Sequence, residues 1–256
     1  MERVKAELYN DNFQNYKRYN IPKAQLVIAD IPYNVGGNAY GSNPMWYIGG
    51  DNKNGESRNA GKAFFNSDGN FNLVEYFHFC GRMLKNEPKE RGKSPCMIVF
   101  CAFQQQQFLI DIAKKYGFPN YIPLVFIKHY SAQVLKANMR VVGATEYALL
   151  FYRDKLPKFN NGGHMVFNWF EWKRDGKEYP KIHPTQKPVG LLKRLIEIFT
   201  DYGDVVIDPC AGSGSTLLAA AQVGRKAYGF EIKKDFYKDA KEKVLRGIQK
   251  TIFSEL

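Results

Sequence analysis

The stretch "VVIDPCAGSGSTLLAAAQVGRKAYGFEI", residues 205–232, decides the fold. A short apolar run ends at Asp208, a glycine-rich loop follows, an Ala/Leu-rich helix starts near Ser215, and a second run, "KAYGFEI" (226–232), carries Glu231 near its tip. Strand, glycine turn, helix and strand in this order make one unit of a parallel α/β sheet. Glycine at 212 and 214 lets the backbone turn sharply and approach a ligand, and the helix start behind it supplies unpaired N–H groups. The loop is not a P-loop, because "AGSGST" has no lysine before its Ser/Thr to reach the outer phosphates. It is a poor dinucleotide fingerprint too, since the register from Gly212 puts Leu217 where the third glycine belongs. An acid 23 positions beyond Asp208, at the next strand tip, is still placed to accept hydrogen bonds from ribose hydroxyls. Together these ask for a nucleoside ligand without a pyrophosphate. S-adenosylmethionine is the candidate, with Asp208 and the loop N–H groups facing its amino-acid portion and Glu231 its ribose.

Working outward, similar apolar runs recur: "QLVIAD" (25–30), "CMIVFCAF" (96–103), "YIPLVFIK" (121–128) and "EYALLFYR" (146–153). Nearly continuous apolar runs of this length suit strands covered on both faces. Between them lie segments with helical spacing, 71–85, 104–117, 189–203 and 215–224, with glycine or proline breaks at "GFP" (117–119) and "DYGD" (201–204). Strand alternating with helix predicts a mostly parallel central sheet with helices on both faces, in a single domain spanning 1–256. Two stretches do not follow the pattern. Residues 34–70 are crowded with Gly and Asn yet carry Tyr40, Trp46, Tyr47, Phe64 and Phe65, which predicts a functional, mobile loop. Residues 154–182 hold the aromatic cluster "FNWFEW" (167–172) and the basic run "KRDGK" (173–177).

Composition narrows the partner. The chain has 37 Lys plus Arg against 25 Asp plus Glu, a net charge of +12, and 45% hydrophobic residues, enough for a substantial core. Such an excess repels itself unless an anionic partner relieves it, and a phosphate backbone is the common one. A basic surface kept for solubility is the plain alternative. Cys80, Cys96, Cys101 and Cys210 include no CxxC pair and no tight Cys/His cluster, so no metal is expected. "MERVKAELYND" has no signal-peptide core, and no 18-residue apolar run exists to span a bilayer. These features predict free thiols and a cytoplasmic location, with no membrane partner.

"LVIADIPYN" (26–34) ends an apolar strand on a carboxylate, then Ile31, Pro32 and Tyr33. Taken alone this could be a strand end turning before proline. Taken with "DPCAGSGST" (208–216) and "HPTQKP" (183–188), it closely resembles the amino-methyltransferases of DNA, in the permuted class whose catalytic tetrapeptide precedes the cofactor loop. The resemblance is strong over 26–34 and 181–237, and "GATEYALLFYR" (143–153) looks like a further family strand. Two positions depart from the family pattern. Ile31 replaces the usual proline of (D/S/N)PPY, and Cys210 stands where phenylalanine is usual.

The resemblance implies a Rossmann-like methyltransferase fold, S-adenosylmethionine as cofactor, and the exocyclic N6 of a flipped adenine as target. It implies Asp30, Ile31, Pro32 and Tyr33 as the catalytic set. It implies a cofactor site built from Asp11, Asp30, His183, Thr185, Lys187, Asp208, Pro209, Cys210, Gly212, Ser213, Gly214, Ser215, Thr216, Glu231 and Ile232. "AELYND" (6–11) would be the strand beside Glu231, bringing Asp11 toward the cofactor's adenine, and Thr185 and Lys187 would meet the cofactor's carboxylate. Asn34, Tyr40, Trp46, Lys173, Arg174 and Lys177 are the nucleic-acid candidates, with 154–182 as target-recognition region and 34–70 as a DNA-contacting loop. Double-stranded DNA is the implied partner, and the family admits a homodimer and a cognate restriction endonuclease in a bacterial or phage setting. Aspartate at position 30 favours adenine, because the family's cytosine-N4 enzymes usually carry serine there. Cytosine-N4 transfer, RNA amino-methylation and a catalytically inactive nucleic-acid-binding subunit are the competing readings.

The chemistry explains the residues. An exocyclic amine is a poor nucleophile because its lone pair is delocalised into the ring. The Asp30 carboxylate and the carbonyl of Ile31 or Pro32 can accept its two hydrogens and turn the lone pair toward the methyl donor. Pro32 fixes the backbone there, and Tyr33 offers a face on which an extruded base stacks.

Overall fold

The structure, a computed structural model, describes residues 5–33, 71–129, 143–183, 185–246 and 248. Asn34, Tyr40, Trp46 and the whole 34–70 loop lie outside the described residues.

Eight strands form one sheet: β1 (Ala6–Tyr9), β2 (Leu26–Asp30), β3 (Cys96–Cys101), β4 (Asn120–Lys128), β5 (Thr145–Tyr152), β6 (Trp169–Trp172), β7 (Val205–Asp208) and β8 (Lys226–Phe230). Their order is β1-β8-β7-β2-β3-β5-β4-β6, and all but the reversed β5 run parallel. The α/β expectation holds, and "AELYND" does supply the strand beside β8, with Tyr9 opposite Phe230.

Side chains of β2 and β3 alternate between two cores, which is why both runs read as continuously apolar. Leu26, Ile28, Ile98 and Phe100 face α3 (Val189–Phe199) and α4 (Ser215–Gln222). Val27, Ala29, Met97 and Val99 face α1 (Leu73–Met83) and α2 (Gln106–Lys115). Buried Phe and Leu side chains on these faces each contribute about 1.5–3 kcal/mol. The α1 helix starts where Asn72 Oδ1 accepts from the amides of Val74 and Glu75, at 3.0 and 3.3 Å. A short helix not foreseen from the sequence, α5 (Lys234–Asp239), follows β8 and runs into one wide turn, Ala240–Val244.

The stretch 154–182, read as irregular, contains β6, which pairs with β4 from Val125↔Trp169 to Lys128↔Trp172. Only Trp172 of its four residues is buried, so no alternation announced it. Among the described residues no helix is long and apolar enough to cross a membrane. All four cysteines are free, as expected.

Candidate active site

After β2 the chain moves outward to β3, and after β7 it moves outward to β8 on the other side. The switch in direction opens a crevice beyond the carboxyl ends of β2 and β7, where ligands of such sheets bind. Those ends are Asp30 and Asp208, so topology brings the two sequence motifs to one place.

The glycine loop is held by two acids and two backbone carbonyls. Asp208 is buried and accepts from the Cys210 amide at 2.9 Å; burial raises its pKa to about 7, opposed by its bond from Thr216 and by the Cys210 amide. Glu231 accepts from the amides of Gly212 (2.9 Å) and Lys233 (2.7 Å), which orients its carboxylate while leaving one lone pair on each oxygen. Burial raises the pKa of Glu231 as well. The amides of Ala211 and Gly214 bond to Phe230 O and Ala211 O. Four of the loop's N–H groups, those of Cys210, Ala211, Gly212 and Gly214, are therefore engaged within the protein rather than offered to a ligand. The hydroxyls of Ser213 and Ser215 lie 2.7 Å apart. Gly212 and Gly214 take φ of 50° and 76°, where a side chain would be strained. Ile232, just past Glu231, leaves its apolar side chain 54% exposed.

The segment "HPTQKP" bridges both motifs. The His183 ring lies about 3.7 Å from where a Cβ on Gly212 would stand, and against Phe236 with ring centres 4.4 Å apart. Burial lowers its pKa to about 4, aided by Lys187 and Lys233, so it is neutral near pH 7. Its Nδ1 pairs with the Thr185 hydroxyl at 3.1 Å. Lys187, itself buried, puts Nζ 2.5 Å from Asp30 Oδ2. The structure thus places Lys187 on Asp30, beneath the rings of Tyr33, Phe100 and Trp172 at 5.2–5.6 Å. With Oδ2 so anchored, Asp30 Oδ1 is buried and has no hydrogen-bond partner. Burial raises the Asp30 pKa, with the Lys187 charge opposing.

Tyr33 donates its hydroxyl to Glu146 Oε2 at 3.0 Å, and Glu146 Oε1 pairs with Lys128, which lies 4.5 Å from the Trp172 ring centre. Pro32 O accepts from Gln105 Nε2 at 2.9 Å. Glu146, Lys128 and Gln105 were missed from the sequence. Glu146 and Lys128 sit inside runs that read simply as strands, and Gln105 inside a run of glutamines.

Asp11 follows β1, but its carboxylate is occupied. It accepts from Asn12 N (2.8 Å), Asn15 Nδ2 (2.6 Å) and Tyr19 Oη (2.8 Å), and these bonds, Asn15 first, hold its pKa below the usual range. Its neighbour Asn10 ties the strand ends together by donating to Glu231 O at 2.8 Å. Pro209 continues from β7 into the loop, and Thr216 lies in the first turn of α4. Lys173, Arg174 and Lys177 follow β6 in the chain and are exposed. The first two line an open cleft of about 490 Å³ together with Phe170, Tyr179, Lys193 and Arg194.

A family model described as "DNA methylase" matches residues 24–242. DNA adenine methyltransferase YhdJ of Escherichia coli (strain K12) is 27% identical over 92% of this chain and 81% of its own length. Type II methyltransferase M2.DpnII of Streptococcus pneumoniae is 30% identical over 46% of this chain and 44% of its own. The chain spans less than two thirds of the length of several of the curated relatives it matches. Among solved structures, the M1.HpyAVI–SAM complex shares the fold, with a TM-score of 0.65, 22% identity, and coverage of 93% of this chain and 99% of that one.

Proposed function

This chain belongs to the DNA methylase family, and on that premise we propose that it transfers a methyl group from S-adenosylmethionine to the exocyclic N6 of a flipped adenine in double-stranded DNA. The observation that carries the reading is the state of Asp30: one carboxylate oxygen anchored by Lys187, the other buried, unpartnered, and at the crevice shared with the glycine loop. An orphaned buried acceptor is destabilising unless something fills its place. An amine hydrogen of the substrate fits it.

The cofactor fits the residues beside it. Glu231 is oriented by two amides and keeps lone pairs for ribose hydroxyls, and Ile232 offers exposed apolar surface for an adenine ring. His183, Thr185 and the 209–216 loop complete the wall. When bound, S-adenosylmethionine supplies a sulfonium methyl that is already activated, so the protein's task is positioning. Asp30 Oδ1 and a backbone carbonyl of the tetrapeptide accept the two amine hydrogens, and the lone pair turns toward the glycine loop. Tyr33, its hydroxyl pinned by Glu146, stacks on the base, worth about 1–3 kcal/mol against a flipping cost of a few kcal/mol. Phosphate contacts from the basic surface, including Lys173, Arg174 and Lys177, offset the remainder. The 154–182 segment serves as target-recognition region in this reading, with a homodimer and a cognate restriction endonuclease as its further partners.

Aspartate at 30 and the similarity to YhdJ support adenine; cytosine presents a comparable amine and is the second reading. The test is incubation of duplex DNA with methyl-labelled cofactor, followed by digestion and mass spectrometry of the nucleosides. N6-methyladenine is expected, and Asp30→Ala abolishes it while cofactor still binds. Label in N4-methylcytosine, or transfer to structured RNA in preference to duplex, would replace the reading.

A further inference from the structure

We propose that Gln105 is a positioning residue that selects the Ile31 carbonyl as the second acceptor for the substrate amine, an assignment that rests on the reading of Asp30 as the first. The tetrapeptide has two candidate carbonyls, those of Ile31 and Pro32. Hydrogen bonding in the crevice distinguishes them.

The β2–β3 ladder is parallel and its rungs are regular: Cys96 N donates to Gln25 O, and at the far end Ile31 N donates to Phe100 O. The next rung in this register would carry the Ala102 amide onto Ile31 O. It is not made. Ala102 N instead donates to Gln105 Oε1 at 2.9 Å. The other end of the same side-chain amide, Nε2, donates to Pro32 O, also at 2.9 Å. One side chain thereby withdraws a competing donor from the Ile31 carbonyl and engages the Pro32 carbonyl. Among the described residues no hydrogen bond reaches Ile31 O. That carbonyl belongs to the residue next to Asp30, whose Oδ1 is the other acceptor without a partner.

Only an amide does both tasks, because it carries a donor and an acceptor on one rigid plane. Alanine frees the Ala102 amide to complete the ladder onto Ile31 O, and blocks the site with a protein donor. Methionine keeps the volume but makes neither bond. Glutamate keeps the Ala102 contact but cannot donate to Pro32 O. Gln105 sits in a short 3-10 turn (Phe103–Gln105) ahead of α2 and is only half-buried, so the fold tolerates these changes.

The experiment compares wild type with Gln105→Ala, Gln105→Met and Gln105→Glu for methyl transfer to plasmid DNA, together with cofactor and duplex affinity and thermal melting. Expected is a kcat about ten- to a hundredfold lower for the alanine and methionine variants, a smaller loss for glutamate, and cofactor Kd, DNA Kd and melting temperature unchanged within about twofold or a few degrees. An unchanged kcat in Gln105→Ala overturns the assignment. So does a loss of cofactor affinity and melting temperature in step with the rate, which marks a merely structural residue. If the wild type itself transfers no methyl to adenine, the reading of the site falls and this assignment with it; an active wild type with an equally active alanine variant removes the assignment alone.

Discussion

Asp208 shows how one buried carboxyl organises a ligand loop and leaves a signature in stability. It is buried at the end of β7, bonded to the Cys210 amide, and its pKa stands at about 7 because burial disfavours the charge. An acid whose pKa is raised in the folded state stays protonated there while the unfolded chain has already released its proton. Stability is therefore highest below the ordinary aspartate range and falls as pH rises from about 4 toward 7. Asp208→Asn keeps an acceptor for Cys210 and removes the ionisation, so urea unfolding at pH 5 and pH 8 will show a flatter dependence than wild type. Tyr33 makes a second prediction at this scale. Tyr33→Phe loses the bond to Glu146 but keeps the ring, and Glu146 retains Lys128, so the rate falls only about threefold. Tyr33→Ala loses the stacking face, and its rate falls about tenfold to a hundredfold. Equal losses in single-turnover transfer for the two would move the role from ring to hydroxyl.

At the level of elements, the glycine unit depends on how closely β8 approaches α4. A Cβ on Gly229 would lie 2.7 Å from Leu217 Cδ1, 3.0 Å from Ala211 Cβ and 3.2 Å from Asp208 O. Leucine could move, but the loop backbone and Ala211 cannot do so without shifting the residues that hold Glu231. Gly229→Ala thus costs about 1–3 kcal/mol by overpacking and weakens cofactor binding as well, which calorimetry and denaturant melts on one sample will show. This unit was legible in the sequence because its parts are local: apolar run, glycines at 212 and 214, and an acid at the next strand tip. The strand at 6–9 was also legible, through the family resemblance that assigns "AELYND" the place beside β8. β6 was not, since it has four residues, one of them buried, and gains its identity only from pairing with β4. The roles of Glu146, Lys128 and Gln105 were hidden for the same reason, as each depends on a partner set by sheet order. Tyr33 and Glu146 are 113 positions apart. Lys187 was found but given a different partner, because sequence shows that a cation lies near the pocket and not which carboxylate it reaches. Asp11 likewise reached the right strand end, where Asn15 and Tyr19 already hold its carboxylate.

For the whole molecule the relevant quantity is charge. A net +12 on 256 residues destabilises a folded chain by self-repulsion, and in the reading proposed above duplex DNA relieves it. If the surface neutralises phosphates, each contact releases a condensed counterion on binding, so the logarithm of affinity falls linearly with the logarithm of salt. About six contacts would lower affinity by about a thousandfold between about 50 and about 200 mM salt. The described basic residues beyond β6 are the place to look, because Lys173, Arg174 and Lys177 are exposed and the first two border the cleft that Lys193 and Arg194 share. Replacing all three by alanine should reduce the salt slope by up to about three while leaving cofactor affinity intact. The slope is measured by fluorescence anisotropy of a labelled duplex across a salt series. A wild-type affinity indifferent to salt would mean that the positive surface serves solubility, and that flipping is driven by contacts within the crevice alone.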